Sequence, residues 1–280
     1  MMNNPVEILK ANINAQVNRT KMPIVKMVFL GILAGMFIAC GASASSVAMH
    51  AIPNVGLART VAGCVFPIGL MLIVFIGGEL FTGDCLLILG NLKKEYSVFQ
   101  TIRVLLVVWC ANLIGSVVFA AMVYFSGQYN YSDGLLGAFT IKVALGKVTM
   151  SFGKAFVSGI LCNIFVCGAV LMAAAAKDVA GKVWAIFFPI LAFVVSGYEH
   201  CVANMYYIPA GIFALNDDKY VQVAMDTYGY TESQLAQLSW KTFFINSSIP
   251  VTLGNVVGGM VFLGVILFIV YKKDLTGDKN

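Results

Sequence analysis

The stretch GGELFTG, residues 77–83, interrupts a hydrophobic segment and places Glu79 at the centre of the interruption. A second interruption, SGYEHCVAN at 196–204, places Glu199 beside His200 in another hydrophobic segment. Polar groups at membrane depth are costly and mark substrate or ion pathways. Two such breaks in corresponding places are typical of a transporter or channel built from a repeated unit. The two breaks therefore predict the fold and the location of a conduction path.

Three short motifs occur in the same order in both halves of the chain. They are GILAGMFI at 31–38 with GILCNIFV at 159–166, FPI at 66–68 with FPI at 188–190, and NLIG at 112–115 with NVVG at 255–258. Matches that keep their order indicate an internal duplication. We place the two copies at about 27–126 and 154–271.

The composition predicts an integral membrane protein, since 60% of the 280 residues are hydrophobic, only 11% are charged and the mean hydropathy is +0.87. Windows of about 20 apolar residues, enough to cross a bilayer, fall at 27–50, 61–90, 102–126, 154–176, 183–212 and 243–271. Each copy holds three spans, and an odd number inverts the second copy in the membrane. The predicted fold is all-α, with six transmembrane helices in an inverted repeat and with the second and fifth helices broken.

The basic residues predict the orientation of the spans. They flank the spans on one side, as Lys10, Arg19, Lys21, Lys26, Lys93, Lys94, Arg103, Lys177, Lys182, Lys272, Lys273 and Lys279. The positive-inside rule assigns this side, with both termini and the tail 272–280, to the cytoplasm. The same asymmetry accounts for the net charge of +5, so no nucleic-acid partner is expected.

The first 26 residues form a separate polar segment. Val6, Leu9 and Ile13 recur among polar residues with helical spacing, which favours an amphipathic helix on the cytoplasmic membrane surface. A flexible tail is the alternative. The segment lacks the short apolar run and small-residue cleavage site of a signal peptide.

Signals for catalysis or metal binding are missing from the sequence. The seven cysteines contain no C-x-x-C pair, and the histidines are His50 and His200. No nucleophile elbow and no glycine-rich phosphate loop occurs. We therefore expect no enzyme activity, no metal and no cofactor.

The breaks themselves predict a pore that prefers anions. Backbone groups freed inside the bilayer must face protein or water, and glycines such as Gly77 and Gly197 allow the chain to turn. The free amides at the start of a half-helix attract negative charge. The pore should therefore prefer negative or hydrogen-bond-accepting solutes.

The runs ELFTG at 79–83, ALGK at 144–147 and SGYEHCVANM at 196–205 resemble the formate/nitrite transporter family, which also includes hydrosulfide channels. The likeness covers nearly the whole chain, including Asn163 and Asn255. It implies an aquaporin-like protomer with its own pore, assembled as a homopentamer around a lipid-filled axis. It also implies a bacterial inner (cytoplasmic) membrane as the location.

The same resemblance implies roles for individual residues. His200 is expected to hold or donate a proton, Thr82 to offer a facing hydroxyl, and Lys147 to attract anions in a vestibule. The full polar set is His200, Thr82, Lys147, Glu199, Asn163, Asn204 and Asn255, and the implied apolar constrictions are Phe66, Leu70, Leu80, Phe81 and Phe193. For each role there is a structural alternative. His200 would be a buried histidine whose hydrogen bonds are made within the protein, Lys147 a solvated charge at the membrane edge, and the five apolar residues ordinary core residues.

Two further expectations concern the residues next to these. Glu79 and Glu199 are expected to tie the broken segments to backbone amides, because bare carboxylates would repel an anion. Asp84, Cys85 and Cys201 are candidates for tuning substrate choice, in a direction that the sequence leaves open.

Energetics favour passage of a neutral species. The idealised cost of moving a bare ion into a low-dielectric constriction is on the order of 20 kcal/mol, far more than one hydrogen bond recovers. We therefore expect a small weak-acid anion (formate, nitrite or hydrosulfide) to cross the constrictions transiently protonated. One alternative is an aquaporin-like channel for water, glycerol or ammonia, although this sequence lacks the paired Asn-Pro-Ala boxes expected of aquaporins. Another is a membrane enzyme or a scaffold protein. The sequence leaves open both the substrate among these anions and the choice between passive and proton-coupled transport.

Overall fold

The computed structural model describes residues 2–277, and these residues form helices and connecting loops without a β-strand. Residues 278–280, which include Lys279 of the predicted tail, lie outside the described residues. The helices are α1 Pro5–Thr20, α2 Ile24–Met49, α3 Val55–Ile76, α4 Phe81–Leu92, α5 Val98–Phe125, α6 Leu135–Val148, α7 Phe152–Ala175, α8 Val179–Ser196, α9 Cys201–Ala214, α10 Asp218–Tyr228, α11 Glu232–Leu235, α12 Trp240–Val270 and α13 Lys272–Thr276.

Six of these helices are long and apolar enough to cross a membrane, namely α2, α3, α5, α7, α8 and α12. They coincide with the six predicted spans. The shorter apolar helices α4 and α9 continue the second and fifth spans beyond their breaks. The predicted all-α fold with two broken spans is therefore confirmed.

The two breaks pass through the same order of backbone conformations, although their turn glycines differ in ψ (138° at Gly77 and 31° at Gly197). Gly77 ends α3 with φ +104°, and Gly197 ends α8 with φ +72°, a region that side chains with a Cβ rarely occupy. The chain is then extended at Leu80 (φ −111°, ψ 120°) and at His200 (φ −109°, ψ 118°), directly before α4 and α9. Each break is thus a turn, an extended stretch and a new helix start.

Close helix packing brings a buried asparagine to each break. In the first half α2 lies against α5, and a Cβ at Gly35 would collide with the backbone oxygen of Asn112. In the second half α7 lies against α12, and a Cβ at Gly254 would collide with the backbone of Phe156. Small residues allow this approach between membrane helices. Asn112 and Asn255 are fully buried as a result.

The N-terminal segment packs against the channel body. Helix α1 begins with a capping box between Asn4 and Glu7, and Leu9 and Ile13 of this helix are buried. Its neighbours include α4, α5, α7 and α13. The apolar side chains on which we based the membrane-surface prediction therefore cover protein, and α1 is part of the same folded unit as the spans.

Helix α6 was not predicted from the sequence. Its 14 residues precede the first span of the second half, just as α1 precedes the first span of the first half. It is too short to be recognised as a bilayer span, and it packs against α9 and α10. Each half of the chain therefore consists of a leading helix, two long spans and one broken span.

Candidate pore and its polar clusters

Two cavities approach each other from opposite ends of the helix bundle. The distal cavity has a volume of about 760 Å³, and its wall includes the α2–α3 loop, α6, Phe193 and His200. The terminal-side cavity, about 390 Å³, is lined by Arg19 of α1 together with the residues of the first break. A pore through the protomer would join these two cavities.

An apolar layer lies between the cavities. Phe66 and Phe193, both on the distal cavity wall, pack edge to face with ring centroids 5.5 Å apart. Leu70 and Leu80 line the terminal-side cavity and are buried. Phe81 is also buried, but it lines neither of the two cavities. Four of the five predicted constriction residues therefore face a cavity.

His200 and Thr82 meet inside this layer. The ring of His200 lies 6.0 Å from the ring of Phe193, and its Nε2 lies 2.9 Å from the hydroxyl of Thr82. Both residues are almost fully buried. The two breaks thus contribute one polar side chain each to a buried contact, in which His200 lines the distal cavity and Thr82 lines neither cavity.

The hydrogen bonds of His200 assign its tautomer. The backbone N–H of Ala203 donates to Nδ1 at 3.0 Å, which caps α9 and leaves Nδ1 without a proton. A neutral imidazole then carries its proton on Nε2 and donates it to the Thr82 oxygen. The Thr82 hydroxyl hydrogen is left to donate in another direction.

Two side chains from α7 hold Thr82 in place. Asn163 Nδ2 donates to the carbonyl of Thr82 at 3.2 Å and to the carbonyl of Asn255 at 2.7 Å. The Cys167 thiol also donates to the Thr82 carbonyl. Asn163 therefore connects the first break to the second half of the chain without itself lining either cavity.

Asn255 fixes the second break by three hydrogen bonds. Its Oδ1 accepts from Cys201 N at 2.9 Å, and its Nδ2 donates to the carbonyls of Gly159 (2.8 Å) and Glu199 (3.0 Å). The bonds to Cys201 and Glu199 satisfy backbone groups that the interruption leaves without helical partners, as a break inside a membrane requires, and the bond to Gly159 connects the break to α7.

Asn112 does the same for the first break. Its Oδ1 accepts from Phe81 N at 3.0 Å, and its Nδ2 donates to the carbonyls of Gly31 (2.8 Å) and Glu79 (2.9 Å). The partners correspond one by one to those of Asn255. The internal repeat is therefore present in the hydrogen bonding as well as in the sequence.

A distal cluster joins α6 to the second break. Lys147 Nζ lies 2.9 Å and 3.0 Å from the carboxylate oxygens of Glu199, and Asn204 Nδ2 donates to the same carboxylate at 2.6 Å and to the Ser247 hydroxyl at 2.9 Å. We expected the Glu199 carboxylate to bind backbone amides. Instead, it binds two side chains, and Asn255 holds the backbone.

A terminal-side cluster joins α1 to the first break. The Arg19 guanidinium forms an ion pair with Glu79 and lies 3.4 Å from the Asp84 carboxylate. All three side chains line the terminal-side cavity. The carboxylate of Glu79, like that of Glu199, thus contacts a cation, whereas we had expected backbone amides.

The two clusters occupy corresponding positions of the repeat. Arg19 stands twelve residues before Gly31, and Lys147 stands twelve residues before Gly159. Asp84 follows Glu79 by five residues, as Asn204 follows Glu199. The repeat therefore relates four residues of one half to four residues of the other. The equivalent pairs are Arg19 and Lys147, Glu79 and Glu199, Asp84 and Asn204, and Asn112 and Asn255.

Sequence reasoning missed Arg19 and Asn112 as site residues and named Asp84 only as a candidate for tuning substrate choice. Arg19 was counted as a topology signal, although its spacing from Gly31 repeats that of Lys147 from Gly159. Asn112 stood in the repeated motif NLIG, so its likeness to Asn255 was visible. Extending the repeat alignment twelve residues upstream of Gly31 would have found Arg19, and comparing the NLIG and NVVG motifs would have found Asn112.

Positive charge dominates the distal cavity. Among the described residues, its wall carries Arg59, Lys142 and Lys147 and one carboxylate, that of Glu199. Lys142 lies 4.3 Å above the ring of Tyr228. Clefts lined by one sign of charge raise the local concentration of ions of the opposite sign, so this cavity favours small anions.

The chain is similar to known transporters and channels over most of its length. A model of the formate/nitrite transporter family matches residues 6–269. The chain is 38% identical over 277 residues to a probable formate transporter of Methanothermobacter thermautotrophicus, covering 91% of this chain and 92% of that one. It is 31% identical over 257 residues to the formate channel FocA of Escherichia coli K12, covering 91% and 89% of the two chains.

Solved structures show the same fold. A pentameric formate channel with formate bound superposes with a TM-score of 0.81 at 33% identity, covering 89% of this chain and 98% of that one. An ion channel of the same family superposes with a TM-score of 0.78 at 27% identity, covering 94% and 98% of the two chains. These relatives are channels and transporters, and the six apolar spans make this chain a multi-pass membrane protein.

Proposed function

Because this chain belongs to the formate/nitrite transporter family, we propose that it conducts small monovalent weak-acid anions, with formate as the first candidate. The observation that carries the proposal is the Thr82–His200 pair, which is buried in an apolar layer between two cavities that each contain a basic side chain. Nitrite and hydrosulfide share the size, charge and weak basicity of formate. The related pentameric channel holds formate, and this likeness supports the same choice here.

The anion first concentrates in the distal cavity. Arg59, Lys142 and Lys147 provide attraction there, because the Glu199 carboxylate compensates only one of these three positive charges. A bare anion cannot cross the Phe66–Phe193 layer cheaply, since its idealised transfer into low dielectric is on the order of 20 kcal/mol. The protonated, neutral acid avoids this barrier.

Thr82 and His200 provide hydrogen bonds for the neutral acid inside the layer. The Thr82 hydroxyl can donate to a carbonyl-type oxygen, and His200 Nε2–H can donate in place of its bond to Thr82. The proton comes from cavity water or through His200. Donation by His200 requires a proton on Nδ1, which displaces the bond from Ala203 N–H. The geometry therefore favours water as the supplier and His200 as a hydrogen-bonding residue.

The surroundings of the pore support a membrane-embedded oligomer. Large apolar side chains such as Phe29, Phe99, Phe188 and Ile269 are exposed on the outside of the spans and fit a bilayer or a neighbouring protomer. We propose a homopentamer by likeness to the related structure. We also place the chain in a bacterial inner membrane with the terminal-side cavity facing the cytoplasm, following the basic residues on that side.

Flux into proteoliposomes tests this function. Formate, nitrite, hydrosulfide and chloride would be compared over a pH series for the native chain, His200→Asn and Thr82→Val. Thr140→Val is the matched control, because the buried Thr140 hydroxyl donates within its own helix, to the carbonyl of Leu136. We expect selective flux of weak-acid anions that falls in the two pore variants and persists in the control. Chloride moving as fast as formate, or full rate and pH dependence in His200→Asn and Thr82→Val, would contradict the mechanism.

A further inference from the structure

The terminal-side cluster contains more negative than positive charge. Glu79 and Asp84 are about 6% and 1% exposed, and both contact the single guanidinium of Arg19. Both carboxylates approach the same nitrogen, Nε of Arg19, so the two groups lie near each other. Two ionised carboxylates this close repel each other, and burial makes an uncompensated charge costly. One proton added to the cluster would make it neutral.

In the distal cluster an amide N–H donates to the glutamate, whereas the terminal-side cluster has a carboxyl group at the corresponding position. Asn204 Nδ2 donates to Glu199 at 2.6 Å while Lys147 supplies the positive charge. Asp84 occupies the position of Asn204, but an ionised carboxylate has no hydrogen to donate. The equivalent bond to Glu79 can form only if a carboxylic O–H takes the place of the amide N–H. Oδ2 of Asp84 has no hydrogen-bond partner among the described residues.

The other titratable and charged groups around the pair do not replace this proton. Tyr96 donates its hydroxyl to the carbonyl of Leu87, and Cys85 donates to that of Phe81. Cys167 is bonded to the Thr82 carbonyl. Lys182 of α8 lies on the wall of the same cavity but forms no ion pair with Glu79 or Asp84 among the described residues. Within residues 2–277, Arg19 is thus the one cation in contact with both carboxyl groups.

We propose that Glu79 and Asp84 share one proton and exchange it with the permeating weak acid at the terminal-side cavity. This inference rests on the proposed function. The pair first gives its shared proton to cavity water. When a neutral acid arrives from the apolar layer, its O–H (or S–H) bond breaks and an O–H bond forms on the deprotonated pair. The anion then departs, and the pair again holds one proton. Transport in the other direction reverses each step, so protons and charges balance.

Infrared spectroscopy of the purified protein at neutral pH tests the shared proton directly. We expect the carbonyl stretching band of a protonated carboxylic acid, shifted in heavy water, in the native protein. Asp84→Asn, which recreates the arrangement of the distal cluster, should lose the band. Glu199→Gln should keep it, because Glu199 is paired with Lys147. Absence of the band in the native protein, or its persistence in Asp84→Asn, would overturn the proposal, and the native measurement decides even if the variant folds poorly.

Flux tests the exchange separately. In vesicles of one orientation, the pH on the terminal side would be varied while the distal pH is held constant. We expect the native rate to depend on the terminal-side pH and Asp84→Asn to lose most of that dependence while retaining the dependence on distal pH. A band that disappears in Asp84→Asn without any change in this dependence would refute the exchange step. Absence of flux in the native protein would refute the proposed function, whereas the infrared result would still report on the proton.

Discussion

The Lys147–Glu199 ion pair allows structural and functional roles to be separated. Their side chains are 15% and 6% exposed, and the charged atoms lie 2.9 Å apart. At the effective dielectric typical of protein sites, unit charges at about 4 Å attract by about 4 kcal/mol. Removing one partner of a buried pair costs about 3–5 kcal/mol, because the other charge is left without compensation. With the partial exposure of Lys147, we expect Lys147→Met and Glu199→Gln to lose about 2–4 kcal/mol each.

The double variant should be more stable than either single variant. Lys147→Met with Glu199→Gln leaves no charge at the site of this pair, and the amide can still accept from Asn204, so we expect a loss of about 1 kcal/mol. Thermal unfolding in one detergent measures this, since 1 kcal/mol shifts the Tm by about 2–4 °C in a chain of this size. Lys142→Met is the control, because it removes a charge from the same cavity without breaking any ion pair of the described residues.

Flux of the double variant decides the role of Lys147. If this lysine attracts anions, the double variant should regain stability but remain slow at low substrate concentration and recover when substrate is abundant. Full flux at low concentration would show that Lys147 is a structural residue only. A double variant no more stable than the worse single variant would refute the argument from charge compensation.

Three further outcomes follow from the described contacts. Asn112→Ala and Asn255→Ala each remove the side-chain partner of two buried backbone groups in a break, namely Phe81 N and the Glu79 carbonyl or Cys201 N and the Glu199 carbonyl. Each should therefore cost about 2–6 kcal/mol in thermal or denaturant unfolding, and a loss in only one of them would contradict their equivalence. Gly77→Ala and Gly197→Ala each place a Cβ on a backbone with positive φ (+104° and +72°), so each should cost about 1–3 kcal/mol, and at Gly197 the Cβ would also displace the end of the Arg59 side chain; an unchanged Tm in either variant would contradict this. Phe193→Ala removes the ring that packs on Phe66 and His200, so proteoliposomes should admit larger weak acids such as lactate, and an unchanged size limit would show that this ring does not constrict the pore.

The sequence predicted those features that depend on local chemistry. Span length and hydrophobicity place the six helices, and the glycines and polar residues of 77–83 and 196–204 place the breaks. The proximity of Thr82 to His200 was expected through the family resemblance and is present at 2.9 Å. Their roles in conduction stay predictions.

The features that the sequence did not predict depend on contacts between segments that are distant in the chain. Nothing local to Arg19 indicates that it pairs with Glu79, since a basic residue before a first span normally reports membrane orientation. Helix α6 was missed because an apolar helix of 14 residues resembles neither a span nor a surface loop. Both features follow only when the repeat is extended upstream of the spans.

The distribution of the asparagine hydrogen bonds has a consequence for assembly during synthesis. The three side-chain bonds of Asn112 reach groups within 31–81, and those of Asn255 reach groups within 159–201. Each half can therefore stabilise its own break as soon as its last span has entered the membrane, and the first half does not have to wait for the ribosome to finish the second. The bonds that join the halves, from Asn163 and His200 to Thr82, form afterwards. The buried contact between Thr82 and His200 is thus among the last parts of the protomer to be completed.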